Sequence, residues 1–91
     1  IFQSTASVPE RPLTAIRLYP NPASTRVTIR SGSPLQSVRI LDITGKPITE
    51  LLIAGGLETS IDLAGIEAGI YFVQVMNNHG TRVQKLQVMK P

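Results

Sequence analysis

A single histidine, His79, stands in the run Asn77-Asn78-His79-Gly80. An imidazole can act as a general base or a metal ligand, but either job needs a second group held beside it. The chain has no cysteine, and the turn residues around His79 predict a solvated side chain rather than a ligand. The carboxylates Asp42, Asp62 and Glu67 are the next groups to weigh as a pair. Asp42 opens the turn signature Asp42-Ile43-Thr44-Gly45, and Asp62 and Glu67 flank a loop, so their spacing suggests none of the raised pKa values that acid–base work requires. Gly55-Gly56 leads into Leu57-Glu58-Thr59, not into the Lys-Ser/Thr of a phosphate-binding loop. These residues predict no catalytic site, no cofactor and no metal, and the chain does not read as an enzyme.

Nine Lys and Arg against six Asp and Glu leave a net charge of +3 over 91 residues, with an isoelectric point near 9.8. A basic balance raises the question of nucleic acid. Charged residues are only 16% of the chain, however, and the basic ones fall singly, mostly on the polar faces of alternating segments, whereas an electrostatic footprint needs clustering. The aromatic residues are Phe2, Tyr19, Tyr71 and Phe72, too few for a stacking platform, and a nucleic-acid partner is not expected. With 42% apolar residues the chain should fold, and its 9.9 kDa make one domain. No disulfide is possible, so packing alone must hold it. The longest apolar stretch, Leu51 to Leu57, is broken by Gly55 and Gly56 and falls far short of the ~20 residues that span a bilayer, so direct membrane insertion is not expected. The start at Ile1, without a basic and then apolar leader, reads as a piece of something longer.

The elements that would position any site follow from period-two alternation. Residues 1–13 mix Ser, Thr, Pro and charges without periodicity and read as an exposed tether, with a domain boundary near Thr14 and the domain over 14–91. Arg26-Val27-Thr28-Ile29-Arg30 sends Val27 and Ile29 to one face and polar side chains to the other. Ser37-Val38-Arg39-Ile40, Ile61-Asp62-Leu63, Tyr71 to Val75 and Gln84 to Val88 repeat the pattern. Ile48, Leu51 and Leu52 have helical spacing, but Gly55 and Gly56 would end a helix after two turns, so this segment too is read as a strand. About seven strands result, at 15–19, 26–30, 36–42, 46–53, 58–63, 70–76 and 81–89. Strands and turns at this spacing predict an all-β, immunoglobulin-like sandwich of antiparallel strands. Val83 and Leu86 differ in parity, which predicts a bulge near Gln84 or Lys85.

Two corners stand out. Tyr71 lies near the start of the sixth strand, where sandwiches of this class bond a tyrosine hydroxyl to backbone just upstream; Gly69 allows a sharp turn before it and Ile66 can plug the end of the core. The alternative is that Tyr71 is simply a core aromatic. Leu18-Tyr19-Pro20-Asn21-Pro22-Ala23-Ser24 is the second corner. Each proline fixes its own φ and removes a donor, so the first strand must end there.

The ordered set LYPNPAS (18–24), VRILDITGK (38–46), IDLAGIEAGIYFVQV (61–75) and KLQVMK (85–90) resembles the type A C-terminal sorting domain of the type IX secretion system. The similarity runs from about Leu18 to Lys90, with Pro91 as a departure after the terminal lysine. The resemblance implies a secretion signal on an exported cargo protein, itself non-catalytic. Such a domain engages an outer-membrane shuttle protein, passes from periplasm to outer membrane, cell surface or medium, and is removed by a sortase. Carried onto this chain, recognition would involve Tyr19, Pro20, Asn21, Pro22, Lys85, Leu86, Val88 and Lys90, and cleavage would fall among Gln3, Ser4, Thr5, Ala6, Ser7 and Val8, whose mostly small side chains suit a protease cleft. For Lys85 and Lys90 the alternative is edge protection, in which charge on a terminal strand discourages unwanted pairing. The chain is expected as a monomer or a strand-exchanged dimer. A fibronectin-like or carbohydrate-binding accessory module of a secreted enzyme is the competing function, and a structural spacer a third.

Overall fold

Alternation along the chain becomes pairing between strands. In the computed structural model, which describes residues 15–90, Val27 and Ile29 are fully buried while Arg26 and Arg30 face solvent. Among the described residues seven strands form: β1 (Ile16–Tyr19), β2 (Arg26–Ser31), β3 (Leu35–Leu41), β4 (Pro47–Leu52), β5 (Glu58–Asp62), β6 (Gly69–Asn77) and β7 (Gly80–Val88). All the paired strands are antiparallel, in a three-stranded sheet ordered β1-β2-β5 and a four-stranded sheet ordered β4-β3-β6-β7. This is the expected all-β sandwich, with each expected strand within a residue or two of its observed limits. The fourth strand pairs with the third, whereas in a constant-type immunoglobulin domain it lies beside the fifth.

The core lies between the sheets. Val27 and Ile29 of β2, with Ile61 and Leu63 at the end of β5, meet Val38 and Ile40 of β3, Val73 and Val75 of β6, and Leu86 and Val88 of β7. Burying such a side chain is worth about 1.5–3 kcal/mol, and no covalent bridge assists. At one end, a polar contact joins the sheets: buried Asn77 of β6 donates Nδ2–H to Ser31 Oγ of β2 at 2.9 Å. The same hydroxyl accepts from the Ser33 amide at 3.2 Å, and Asn77 Oδ1 accepts from the His79 amide at 2.8 Å. The sheets are thereby held in register where the last hairpin turns.

The expected bulge near Gln84 or Lys85 is absent. The β6–β7 ladder runs unbroken from Gly69↔Val88 to Asn77↔Gly80. The parity of Val83 needs no correction because the side chain points to the outer face and is 53% exposed. Irregularity falls instead on β3, at Ile40/Leu41 against β4 and at Leu35/Ser37 against β6.

The β3–β4 turn is built by Asp42. Its Oδ1 accepts from the Thr44 amide at 2.9 Å, the Thr44 hydroxyl at 2.6 Å and the Lys46 amide at 3.0 Å. Gly45, at φ 90°, takes the left-handed conformation that closes the turn. The Thr44 hydroxyl and then the Lys46 amide hold the Asp42 carboxyl below its usual value. The folded value therefore lies below the unfolded one near 3.9. The contribution of the ionised group is present above that unfolded value and is lost as pH falls through the lower, folded one. Asp42→Asn keeps an acceptor oxygen and removes the charge. It should lower the urea midpoint at neutral pH and lose less of its remaining stability than the parent on acidification below about pH 4. Parallel acid curves for the two proteins would contradict this account.

Candidate functional site

Pro20 and Pro22 have no N–H to donate, so the chain between them cannot pair as ordinary strand backbone. Both peptide bonds entering these prolines are cis. The Asn21 side chain replaces the missing peptide group. Its Nδ2–H donates to the Lys85 carbonyl at 3.0 Å, and its Oδ1 accepts from the Gln87 amide at 3.1 Å. A carboxamide offers a donor and an acceptor side by side, as a strand neighbour would. Ala23 continues the pairing through its own backbone, donating to the Gln87 carbonyl at 2.9 Å and accepting from the Met89 amide at 2.8 Å. Its register is a parallel bridge to Val88. The corner after β1 thus covers the outer edge of β7 from Lys85 to Met89.

Lys90 closes the same junction from the other side. Its ammonium donates to the Ser24 carbonyl at 2.9 Å and to the Leu63 carbonyl at 2.7 Å, tying the chain end to the start of β2 and the end of β5. Lys90 is half-buried, whereas Lys85 is exposed and sits opposite Phe72 across the β6–β7 ladder.

The structure therefore brings together the two groups of sequence-derived recognition residues. Tyr19, at 42% exposure, Pro20, Asn21 and Pro22 lie beside Lys85. Leu86 and Val88 are placed differently: both are buried in the core, at 0% and 2%, and β7 shows Lys85, Gln87 and Met89 outward here. Next to them is an open depression of about 400 Å³ whose walls include Gly69, Ile70 and Met89. Sequence reasoning missed Ala23, and it missed that Lys90 turns inward onto two carbonyls. A carboxamide set between two donor-less residues was the available signal for Asn21. The acceptors of Lys90 are 66 and 27 residues away and left no local signature.

At the second corner, the Tyr71 hydroxyl donates to the Glu67 carbonyl, four residues upstream, at 2.7 Å, while its ring packs against the core. The corner and core-aromatic readings thus describe two ends of one side chain. Gly69 has φ 157°, which L side chains rarely adopt, and half-buried Ile66 packs on the core beside it. His79 is exposed in the Asn78-His79 turn. Arg17, Arg26 and Arg30 share the outer face of the three-stranded sheet with Glu58 and Asp62, and Arg30 pairs with Glu58 at 2.8 Å. Gln3 to Val8 and the expected boundary at Thr14 lie outside the described residues.

The family described as the secretion system C-terminal sorting domain matches residues 17–89. The chain belongs to this family. No curated protein matches it. The match opens inside β1 and closes just past β7, so the sorting domain spans every strand. It indicates a type IX C-terminal sorting signal on a secreted protein, in a family that is in general non-catalytic and that works with the secretion machinery.

The Asn21 and Lys90 contacts carry different loads in the sorting domain. Asn21→Ala removes two hydrogen bonds to β7 and should cost about 1–3 kcal/mol in urea unfolding. Hydrogen exchange should accelerate most at the Gln87 amide, with little local change at Val73. Lys90→Met keeps the stem and frees two carbonyls, so its exchange should rise at Leu63 and its neighbours rather than at Gln87. Uniform acceleration in both variants would show that the junction acts only through global stability.

Proposed function

We propose that this domain directs the protein carrying it across the outer membrane through the type IX system, by engaging an outer-membrane shuttle protein, and is then cut off by a sortase within Gln3–Val8. The exported cargo would pass through the periplasm and end on the cell surface or in the medium. The observation that carries this reading is the family match combined with the junction of two of the motifs on which the resemblance rests. Pro20-Asn21-Pro22 and the last strand meet in one outward surface through the Asn21 bonds to Lys85 and Gln87. On this reading the shuttle protein touches Tyr19, Pro20, Pro22 and Lys85, while Leu86, Val88 and Lys90 act by holding β7 in place.

A periplasmic reporter fused ahead of the 91 residues tests the proposal in a strain that has this secretion system. The expected result is reporter outside the outer membrane and freed from the domain, so that its C-terminal peptide ends before Val8. A reporter retained in the periplasm as fully as one carrying an unrelated sandwich defeats the export reading. Exported reporter whose terminal peptides still include Tyr71 and Lys90 defeats sortase removal and favours an accessory module that stays with the mature protein. Lys85→Glu, at an exposed side chain, should reduce export severalfold without lowering the urea midpoint; unchanged export would take Lys85 out of the recognition surface.

A further inference from the structure

The two sheets end on four strand edges, β1 and β5 in one and β4 and β7 in the other. An unpaired edge is a template for another strand, and natural sheets guard their edges with charge, proline, shortness or cover. Three of these edges are guarded. β1 is four residues long and runs into Pro20. β5 carries Glu58 and Asp62. β7 is covered by Asn21 and Ala23 from Lys85 to Met89, and Arg82 and Lys85 lie along its remainder.

β4 is the exception beyond its first residue, Pro47, which guards only the start of the strand. Its one charged residue, Glu50, stands 3.6 Å from Arg39 of the neighbouring strand, while Ile48, Leu51 and Leu52 are 45%, 38% and 79% exposed. The sheet it belongs to has four strands against three, and β4 pairs only with β3. The Ile53 amide donates to the Gln36 carbonyl, and Leu51 and Thr49 stand opposite Val38 and Ile40. By antiparallel alternation, the backbone groups of Thr49 and Leu51 point at β3 and those of Glu50 and Leu52 point out to the open edge. Leu51 shares the inner face with buried Val38, and Glu50 and Leu52 share the outer face with Arg39 and Ser37.

We propose that β4 pairs with β4 of a second copy of this chain, antiparallel about a two-fold axis at Leu51. A strand added here must be apolar on the inner face, where it meets Leu51, and must avoid setting a second acid beside Glu50. β4 itself meets both demands. With the axis at Leu51, Leu51 faces its own copy, Thr49 faces Ile53, and Glu50 faces Leu52, so the outward backbone groups of Glu50 and Leu52 bond those of Leu52 and Glu50 in the copy. An axis at Glu50 would set two carboxylates directly opposite, which is unfavourable. It would also use Ile48, which the register shift at Ile40/Leu41 leaves out of the ladder. The contact is short, well below the roughly 1,200–2,000 Å² of stable complexes, so the association is weak and concentration-dependent. It differs from strand exchange, which would move β7 and would not bring two copies of Leu51 together.

The chain has no cysteine, so one introduced thiol reports one contact. Directly opposed residues that do not share hydrogen bonds lie about 4.5 Å apart at Cα, within the reach of a disulfide. In a glutathione redox buffer, Leu51→Cys should form a covalent dimer about tenfold faster than Glu50→Cys or Val83→Cys. Sedimentation of the unmodified chain from about 10 μM to about 1 mM, a span suited to weak affinities, should show the mean mass rising from 9.9 kDa towards twice that value. Leu52→Pro removes a donor that points to solvent in the single chain, a position where edge strands tolerate proline; it should keep the parent's far-UV spectrum and stay at the mass of one chain. A parent that remains single up to about 1 mM overturns the proposal and leaves this edge to a strand of a different protein. Cross-linking of Leu51→Cys no faster than that of Val83→Cys overturns it as well.

Discussion

The closure of β7 is the constraint on which the rest of the sandwich depends. This strand is the last in the order of the described strands, and it carries Leu86 and Val88 into a core that no disulfide supports. Pairing with β6 satisfies one edge only. The other is met by Asn21 and Ala23, and the segment beyond it is held by Lys90 on carbonyls at the start of β2 and the end of β5. Six hydrogen bonds made by Asn21, Ala23 and Lys90 with partners across the sandwich keep Val73, Val75, Leu86 and Val88 pressed against the opposing sheet. A proline corner that could have been a mere strand terminator is thus the element that joins the first strand to the last.

Much of this was legible because burial on one face forces period two. Val27/Ile29, Val38/Ile40 and Val73/Val75 announce their strands and the faces these bury. Legibility fails where a strand is not buried against anything. Val83 looked like a parity fault only on the assumption that every apolar residue of β7 faces the core; it faces water. The helical spacing of Ile48, Leu51 and Leu52 arises from an edge strand with a register shift, so neither face repeats cleanly. Long-range polar contacts are the other blind spot. Asn21, Lys90 and the Asn77–Ser31 pair meet partners 27 to 66 residues away, and local pattern carries no information about such distances.

The charges also read differently once placed. Arg30 and Arg39 sit in exposed ion pairs with Glu58 and Glu50, an arrangement usually worth at most about 1 kcal/mol. Three arginines do share one sheet face, where scattered singles were expected, but Glu58 and Asp62 of the next strand interleave with them. The basic group tied most closely to the fold's closure is the Lys90 ammonium, inside the junction; Lys85 takes part through its backbone carbonyl and leaves its side chain on the surface. Two lysines five residues apart in one motif therefore do physically different work, and neither simple edge protection nor simple recognition describes both.

The proposed address has a physical consequence of its own. Its two halves are separated by 64 residues at the Asn21–Lys85 contact and exist as one surface only when both sheets have formed and β7 has docked. An unfolded chain contains the same motifs but presents no Tyr19–Pro22 ridge beside Lys85. A receptor that reads this surface therefore reads folding as well as sequence, in contrast to a linear leader recognised in extended form. The entry to β1 lies close to the same surface: Ala15 and Ile16 line a groove of about 250 Å³ with Arg82, Val83 and Gln84, the residues of β7 just before Lys85. A protein docked at Lys85 would therefore sit within a few residues, along β7, of the point where the chain enters the domain, so the proposed recognition and the proposed cutting would act at one edge of it.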